Sequence, residues 1–341
     1  MAKAGGYYYN QLNKEQQRVY YGMKEGLLNL KDSFSVPMLS GKELSDIYFM
    51  IRMDCPEIFY SVTFTYKYYA DSSTVEMVPQ YLFSKSKLKE HRQAMESRVK
   101  KLAHQAKNLD EKGKELFIHD FIVNHVKYDK LKKEYSHEII GALGNGVAVC
   151  EGMAKAVKVL CDELDIWCII AVSEANPEKG IKYRHAWNVI RINGQYYHLD
   201  VTFDNTLSKD GTVRYDYVNL SDRQIFRDHE PVIWKVPACN DNDGFYYKEK
   251  KLSWTTTDEV RNRAKQAVKK GKVLLFHWRG GYLTKEILGQ LMELFRQEAK
   301  AKGKRAYVSV NWPQAVLRVR FEEGAGEEQL EMEEANEGEK E

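Results

Sequence analysis

His185-Ala186-Trp187-Asn188-Val189-Ile190-Arg191-Ile192-Asn193-Gly194-Gln195-Tyr196-Tyr197-His198-Leu199-Asp200-Val201 is two β-rich runs around an Asn-Gly pair. A type I′ turn needs positive φ at both central residues, so Asn193-Gly194 predicts a tight β-hairpin. Its register follows directly: 192 lies opposite 195, 187 opposite 200 and 185 opposite 202. His185 and Asp200 then leave the same face as diagonal neighbours, about 7–8 Å apart at the backbone and within side-chain reach. Ile190, Ile192, Tyr197, Leu199, Val201 and Phe203 fall on the opposite face, which suits a core. Trp187 shares the His185 face and sits opposite Asp200, where it can shield their hydrogen bond or simply pack.

Upstream, Cys150 through Leu164 has apolar residues at 153, 156, 157, 160, 161 and 164, with Lys, Asp and Glu on the other face. This is helical spacing. Gly144 and Gly146 punctuate the approach, so Cys150 falls at the helix N-terminus, where the macrodipole and exposed N–H groups favour a thiolate. A lone cysteine or strand histidine is usually a packing residue. A helix-start cysteine followed by a paired histidine and carboxylate instead has the logic of nucleophile, base and orienter.

Three blocks carry a resemblance: Gly146-Val147-Ala148-Val149-Cys150-Glu151-Gly152-Met153-Ala154, Arg184-His185-Ala186-Trp187-Asn188-Val189, and Tyr197-His198-Leu199-Asp200-Val201-Thr202-Phe203-Asp204. Together they closely resemble the bacterial transglutaminase-like superfamily, of papain-like cysteine fold. Asn124 to Asp129 and Ser136 to Leu143 resemble that family's lead-in, so the likeness covers roughly residues 115–206. Met53 to Tyr60 looks like an N-terminal extension of some bacterial members. The resemblance implies Cys150 as nucleophile, His185 as general base and acid, and Asp200 as the residue orienting His185. The superfamily holds cross-linking transglutaminases, peptidases, peptide N-glycanases and members without activity, so fold follows more firmly than reaction. The Cys150 N–H is one expected oxyanion donor; the second is not assigned.

A metal reading competes. His198-Leu199-Asp200 with His185 gives two histidines and one carboxylate, a set that ligates non-haem iron. The pairing puts His198 opposite Val189, two steps further along than His185, so one ion reaches all three poorly. His119 and His125 are six apart on a predicted helix and do not share a face. There is no His-Glu-x-x-His or Cys-x-x-Cys, and Cys161 and Cys168 read as core. No acidic cluster resembles a calcium loop. No metal ligand and no cofactor is therefore assigned.

The 341 residues suggest two or three domains. Cysteines at 55, 150, 161, 168 and 239 are odd in number and scattered, unlike a disulfide framework. The start lacks the apolar run of a signal peptide, and no stretch has membrane-spanning length; a cytoplasmic location is expected for a native start. Residues 322–341 hold ten Glu and one Lys, so the formal net charge of +3 leaves +12 on residues 1–321. That tail is expected to be disordered and solubilising. Residues 85–133 carry 14 Lys or Arg against 7 Asp or Glu, without the aromatic interleaving of a nucleic-acid surface.

Helices are expected over 13–30, 42–52, 86–108 and 110–127, with a hairpin of 58–69 and 74–79 around a turn at 71–73. Past Pro237 come a helix over 257–270, a buried strand over 273–278, a helix over 284–301, and strands over 305–311 and 315–321. Trp278 and Trp312 read as core. The expected architecture is α+β: an N-terminal helical and hairpin extension over 1–109, and a transglutaminase-like core over 110–236 whose cysteine helix packs on an antiparallel sheet. A small α/β module over 237–321 and the acidic tail follow. The expected function is thiol-dependent acyl transfer on protein or peptide amides through Cys150, His185 and Asp200, as a peptidase or transglutaminase-like enzyme. The competing expectation is a binding module that keeps these residues as scaffold.

Overall fold

The computed structural model describes residues 6–208, 211–324, 329–333 and 335. Its N-terminal part begins with α1 (Lys14–Leu28), capped by the Asn13 side chain, then β1 (Phe34–Pro37) and α2 (Gly41–Asp54), capped by Ser40. Strands β2 (Ser61–Tyr68) and β3 (Thr74–Tyr81) form the expected hairpin, and β1 pairs with the outer edge of β3. The long α3 (Lys85–Ala106) leads into α4 (Glu111–His125), whose start is fixed by Asp110 accepting from the Gly113 N–H.

Next, β4 (Lys127–Tyr128) and β5 (Val147–Ala148) pair in parallel and deliver the chain to α5 (Cys150–Glu163). Four antiparallel strands follow in spatial order: β6 (Cys168–Ser173), β7 (His185–Ile192), β8 (Gln195–Leu199) and β9 (Val218–Leu220), with α6 (Val201–Leu207) between the last two. Asn193 and Gly194 have φ of 51° and 84°, and Asn188 pairs with Leu199 and Ile192 with Gln195, the expected register. Short helices α7 (Asp222–Ile225) and α8 (Tyr246–Glu249) lead to the C-terminal sheet.

That sheet takes β10 (Ser253–Trp254), then α9 (Thr257–Lys270), β11 (Leu274–Trp278) and α10 (Lys285–Lys300). It is completed by β12 (Lys304–Asn311), β13 (Val316–Glu323) and β14 (Gln329–Glu333), in the order β10-β11-β13-β12-β14.

Period-two alternation sorts the central sheet into two faces. Cys168, Ile170, Val172, Ala186, Ile190, Ile192, Tyr197 and Leu199 join one core with α5 and the N-terminal helices. Ile169, Ala171, Trp187 and Val189 join another with Phe203, Tyr217, Ile225 and Val316. The fold is thus an α+β layering in which the cysteine-bearing helix packs on an antiparallel sheet. The N-terminal part shares that helix's core rather than standing apart, and Tyr8 donates from its hydroxyl to the Ile170 carbonyl at 2.5 Å.

Three expectations are corrected. Phe203 lies on the His185 side, because β8 ends at Leu199 and the chain turns into α6, where strand parity no longer applies. The polar face of α5 is covered: Lys155 is fully buried and Lys158 nearly so. Within the acidic stretch, β13 continues to Glu323 and residues 329–333 pair in parallel with β12, while Glu333 is buried at 2.5 Å from Arg214. An edge strand needs only backbone partners and one good counter-ion, which average composition does not report. Residues 325–328, 334 and 336–341 of that stretch lie outside the described residues. Among the described residues no helix is long and apolar enough to cross a membrane.

Candidate active site

Cys150 is the first residue of α5, after an extended Val149 that supplies no side-chain cap. The approach is held from three sides. Gly146 adopts φ 67°, a left-handed conformation that glycine takes without strain, and the Val149 N–H donates to the Ser136 carbonyl at 3.0 Å. At Gly152 a Cβ would stand 2.2 Å from that same carbonyl, so only glycine lets the 136 segment close over the helix start. Cys150 Sγ lies 4.0 Å from the Arg184 carbonyl, beside the first residue of β7.

His185 opens β7 and its Nε2 lies 2.6 Å from Asp200 Oδ2. Asp200 sits one residue past the end of β8 and caps α6, with Oδ1 accepting from the N–H groups of Thr202 (2.8 Å) and Phe203 (3.1 Å). The cap fixes the carboxylate plane and turns Oδ2 toward the imidazole. Burial pushes the Asp200 carboxyl up, but His185 and His229 outweigh it and hold it well below the usual range. Trp187 stacks on the His185 ring, with centroids 5.7 Å apart and an interplanar angle of 17°. Phe203 lies 4.8 Å from that ring on another side.

The side chains weighed as a metal set are not all brought together. His198 Nδ1 accepts from Trp187 Nε1 at 2.9 Å and its Nε2 faces Asp222 at 2.8 Å, so it is a neutral support behind the tryptophan. Burial lowers its pKa further. His119 is buried against Asp204 and Asp120, whereas His125 is bonded to the Phe121 carbonyl. Among the described residues two clusters have a metal-like composition, His185 with Asp200 and His229, and His198 with Asp222 and Cys239. In both, the Nε2 of each histidine is hydrogen-bonded to the carboxylate of the same cluster.

Two features escaped the sequence reading. His229, from the loop after α7, places Nε2 2.9 Å from the same Asp200 Oδ2. Nothing in local spacing announces a loop histidine 29 residues beyond its partner. Under the helix start lies a buried charge network. Arg52 Nη2 is 2.6 Å from Glu138 and 2.8 Å from Glu151, and Lys155 Nζ is 2.8 Å from each. The Glu138 contacts are aligned hydrogen bonds, but those to Glu151 Oε1 are charge contacts without hydrogen-bond alignment.

Cys150 and His185 line one open cleft of about 780 Å³. Tyr48, Phe49 and Arg52 of α2 and Phe64 of β2 form one wall; Lys132, Glu134 and His137 flank the cysteine, and Lys182 to Arg184 precede the histidine. The N-terminal part therefore shapes the space in front of the sulfur. A cysteine at a helix N-terminus, an imidazole hydrogen-bonded to a carboxylate, and an open cleft are components that thiol-based acyl chemistry uses.

Residues 100–201 match the transglutaminase-like superfamily, and this segment is a transglutaminase-like core. No curated protein matches the chain. Among solved structures, similarity is found to a transglutaminase (11% identity, 53% of each chain, TM-score 0.29). It is also found to a proposed cysteine protease from Cytophaga hutchinsonii (17% identity, 41% of this chain and 62% of that one, TM-score 0.27). A proposed protease from Parabacteroides distasonis is similar at 12% identity, over 41% of this chain and 36% of that one, with TM-score 0.26. The chain thus spans about half the length of the first and less than two thirds of each of the others.

Proposed function

We propose that this protein is a cysteine-dependent acyl-transfer enzyme acting on protein or peptide amides, with Cys150 as nucleophile, His185 as acid and base, and Asp200 as the group that orients His185. The observation carrying this reading is the 2.6 Å contact of His185 Nε2 with a capped, ionised Asp200, on a histidine that shares its cleft with a helix-start cysteine. With Nε2–H donated to Asp200, the proton exchanged with sulfur is carried by Nδ1.

The Cys150 thiolate adds to the amide carbonyl, and the oxyanion forms at the α5 N-terminus, where the Cys150 N–H is the proposed donor. As the C–N bond breaks, His185 gives its proton to the departing amine and a thioester remains. Water or a second amine then adds to the thioester while His185 takes up its proton, and expulsion of the thiolate restores the starting state. Water as acceptor gives a peptidase or amidase, and a lysine amine gives a cross-linking enzyme. The open cleft favours this reading over a binding scaffold, for which a neighbouring segment filling the space would be expected.

The test is the rate of Cys150 alkylation by iodoacetamide from pH 4 to 9, followed by mass spectrometry in wild type and His185→Ala. Rapid labelling at pH 5–6 that the mutation abolishes is expected, since an unperturbed thiol has a pKa of about 8.5. Labelling that rises only near pH 8–9 and ignores the mutation would refute the enzyme reading. Incorporation of a fluorescent amine into a glutamine-bearing protein then separates transfer from hydrolysis.

A further inference from the structure

One oxygen of Asp200 serves two imidazoles. Oδ2 lies 2.6 Å from His185 Nε2 and 2.9 Å from His229 Nε2, while Oδ1 accepts two backbone N–H groups. Every lone-pair direction of this carboxylate meets a donor, the environment of an ionised group. On its far side His229 places Nδ1 2.8 Å from Asp228 Oδ1. Asp228 Oδ2 is likewise an acceptor twice over, from the Tyr217 hydroxyl at 2.6 Å and the Gln314 amide at 3.2 Å. His229 thus meets a carboxyl group at each ring nitrogen, and an ionised carboxylate can only accept. Both contacts are satisfied only when both nitrogens carry protons.

We propose that His229 is a buried imidazolium that cancels the charge of Asp200 toward His185, so that Asp200 orients the His185 ring while doing little to hold it cationic. The consequence for catalysis rests on the reading of His185 as the acid and base of Cys150. His229 does not line the cleft; it is a positioning residue acting through Asp200.

The groups facing His229 balance. Asp200 comes from the start of α6 and Asp228 from its own loop. The His185 ring from β7 stands 5.2 Å away, and the Tyr217 ring, ahead of β9, 5.7 Å away. Trp187 and Phe203 close the remaining sides, and His198 behind Trp187 is neutral. Asp200, His229 and Asp228 together carry one negative charge, which protonation of His185 neutralises. Burial favours a neutral His229, but Asp200 and Asp228 outweigh it and raise its pKa. Two cationic rings with centroids 5.2 Å apart repel, so a charged His229 lowers the His185 midpoint. The second imidazole thereby offsets much of the upward push that a lone aspartate would exert.

The experiment is long-range proton–nitrogen NMR of the histidine rings from pH 5 to 10, in the full chain and in His229→Gln and Asp228→Asn. Glutamine keeps an amide donor toward Asp200 without a charge, and the Asp228 change removes one of the two anions while leaving His229 in place. In wild type, both His229 nitrogens should remain protonated above the ordinary histidine midpoint of about 6.5. In His229→Gln the His185 midpoint should rise, and in Asp228→Asn the His229 midpoint should fall. A His229 that is a neutral tautomer at pH 7 overturns the proposal, as does a His185 midpoint unmoved in the glutamine variant. These resonances report charge whether or not the thiol reacts. Failure of alkylation at pH 5–6 would therefore refute the role of Cys150, and failure of the shifts would refute the role of His229.

Discussion

Replacing Lys155 with methionine tests the buried charge network and its hold on the cysteine helix. Lys155 is fully buried and Glu138 is 1% exposed, so neither charge can turn to water if its partner goes. In the native arrangement two cations, Arg52 and Lys155, face two carboxylates, Glu138 and Glu151, with His137 3.2 Å from the second. Without Lys155, the buried Glu138 and the partly exposed Glu151 share one guanidinium. Removing one partner of a buried ion pair costs about 3–5 kcal/mol, a large part of a typical folding stability of about 5–15 kcal/mol. The expected result is a loss of that size in urea unfolding at pH 7, with slower Cys150 alkylation because the network ties α5 to α2 and to residue 138. Adding Glu138→Gln to Lys155→Met should recover much of the loss, since it removes the stranded charge. The pH dependence has a definite sign. Burial pushes the Glu151 carboxyl up, but Arg52, Lys155 and His137 prevail and hold it well below its ordinary value. The stability it confers is fully present above the unfolded pKa of about 4.3 and is lost as pH falls through the lower folded value. Without Lys155 the folded value rises, so acid unfolding should begin at higher pH. A loss below about 1 kcal/mol, or one unrelieved in the double variant, would refute the reasoning.

The remaining predictions concern backbone and tail. Gly152→Ala should destabilise by about 1–3 kcal/mol, because its Cβ would stand 2.2 Å from the Ser136 carbonyl and 3.1 Å from the Ala148 methyl. Urea unfolding measures the loss, and a fall in Cys150 labelling reports the displaced helix start. For β14, hydrogen exchange should find residues 329–333 protected in the wild type and open in Glu333→Ala, which takes a carboxylate from buried Arg214. Unprotected amides in the wild type would return this stretch to the disordered state that its composition suggests.

What could be read from the sequence is what local stereochemistry fixes. Asn193-Gly194 determines the turn, the turn determines the register, and the register brings His185 near Asp200 without any knowledge of the rest of the fold. The start of α5 is equally local, since a left-handed Gly146 and the helical spacing that follows leave little choice about where Cys150 falls. Parity failed where the chain left the strand: Asp200 became a helix cap, and Phe203 came round to pack on the histidine.

The charged groups follow another logic. Arg52 meets Glu138 across 86 positions, and His229 meets Asp200 across 29, so no window of sequence contains both members of either pair. Average rules assign an unpaired lysine in a helix to the solvent and a run of glutamates to disorder, because an unpartnered charge is too costly to bury. The rule inverts once the partner is supplied. Lys155 lies fully buried between Glu138 and Glu151, and Glu333 lies in an edge strand opposite Arg214. The same inversion applies to His229. Burial alone favours a neutral ring, and Asp200 and Asp228 together favour a cation, so its effect on the proposed catalytic histidine depends in part on a carboxylate not bonded to that histidine.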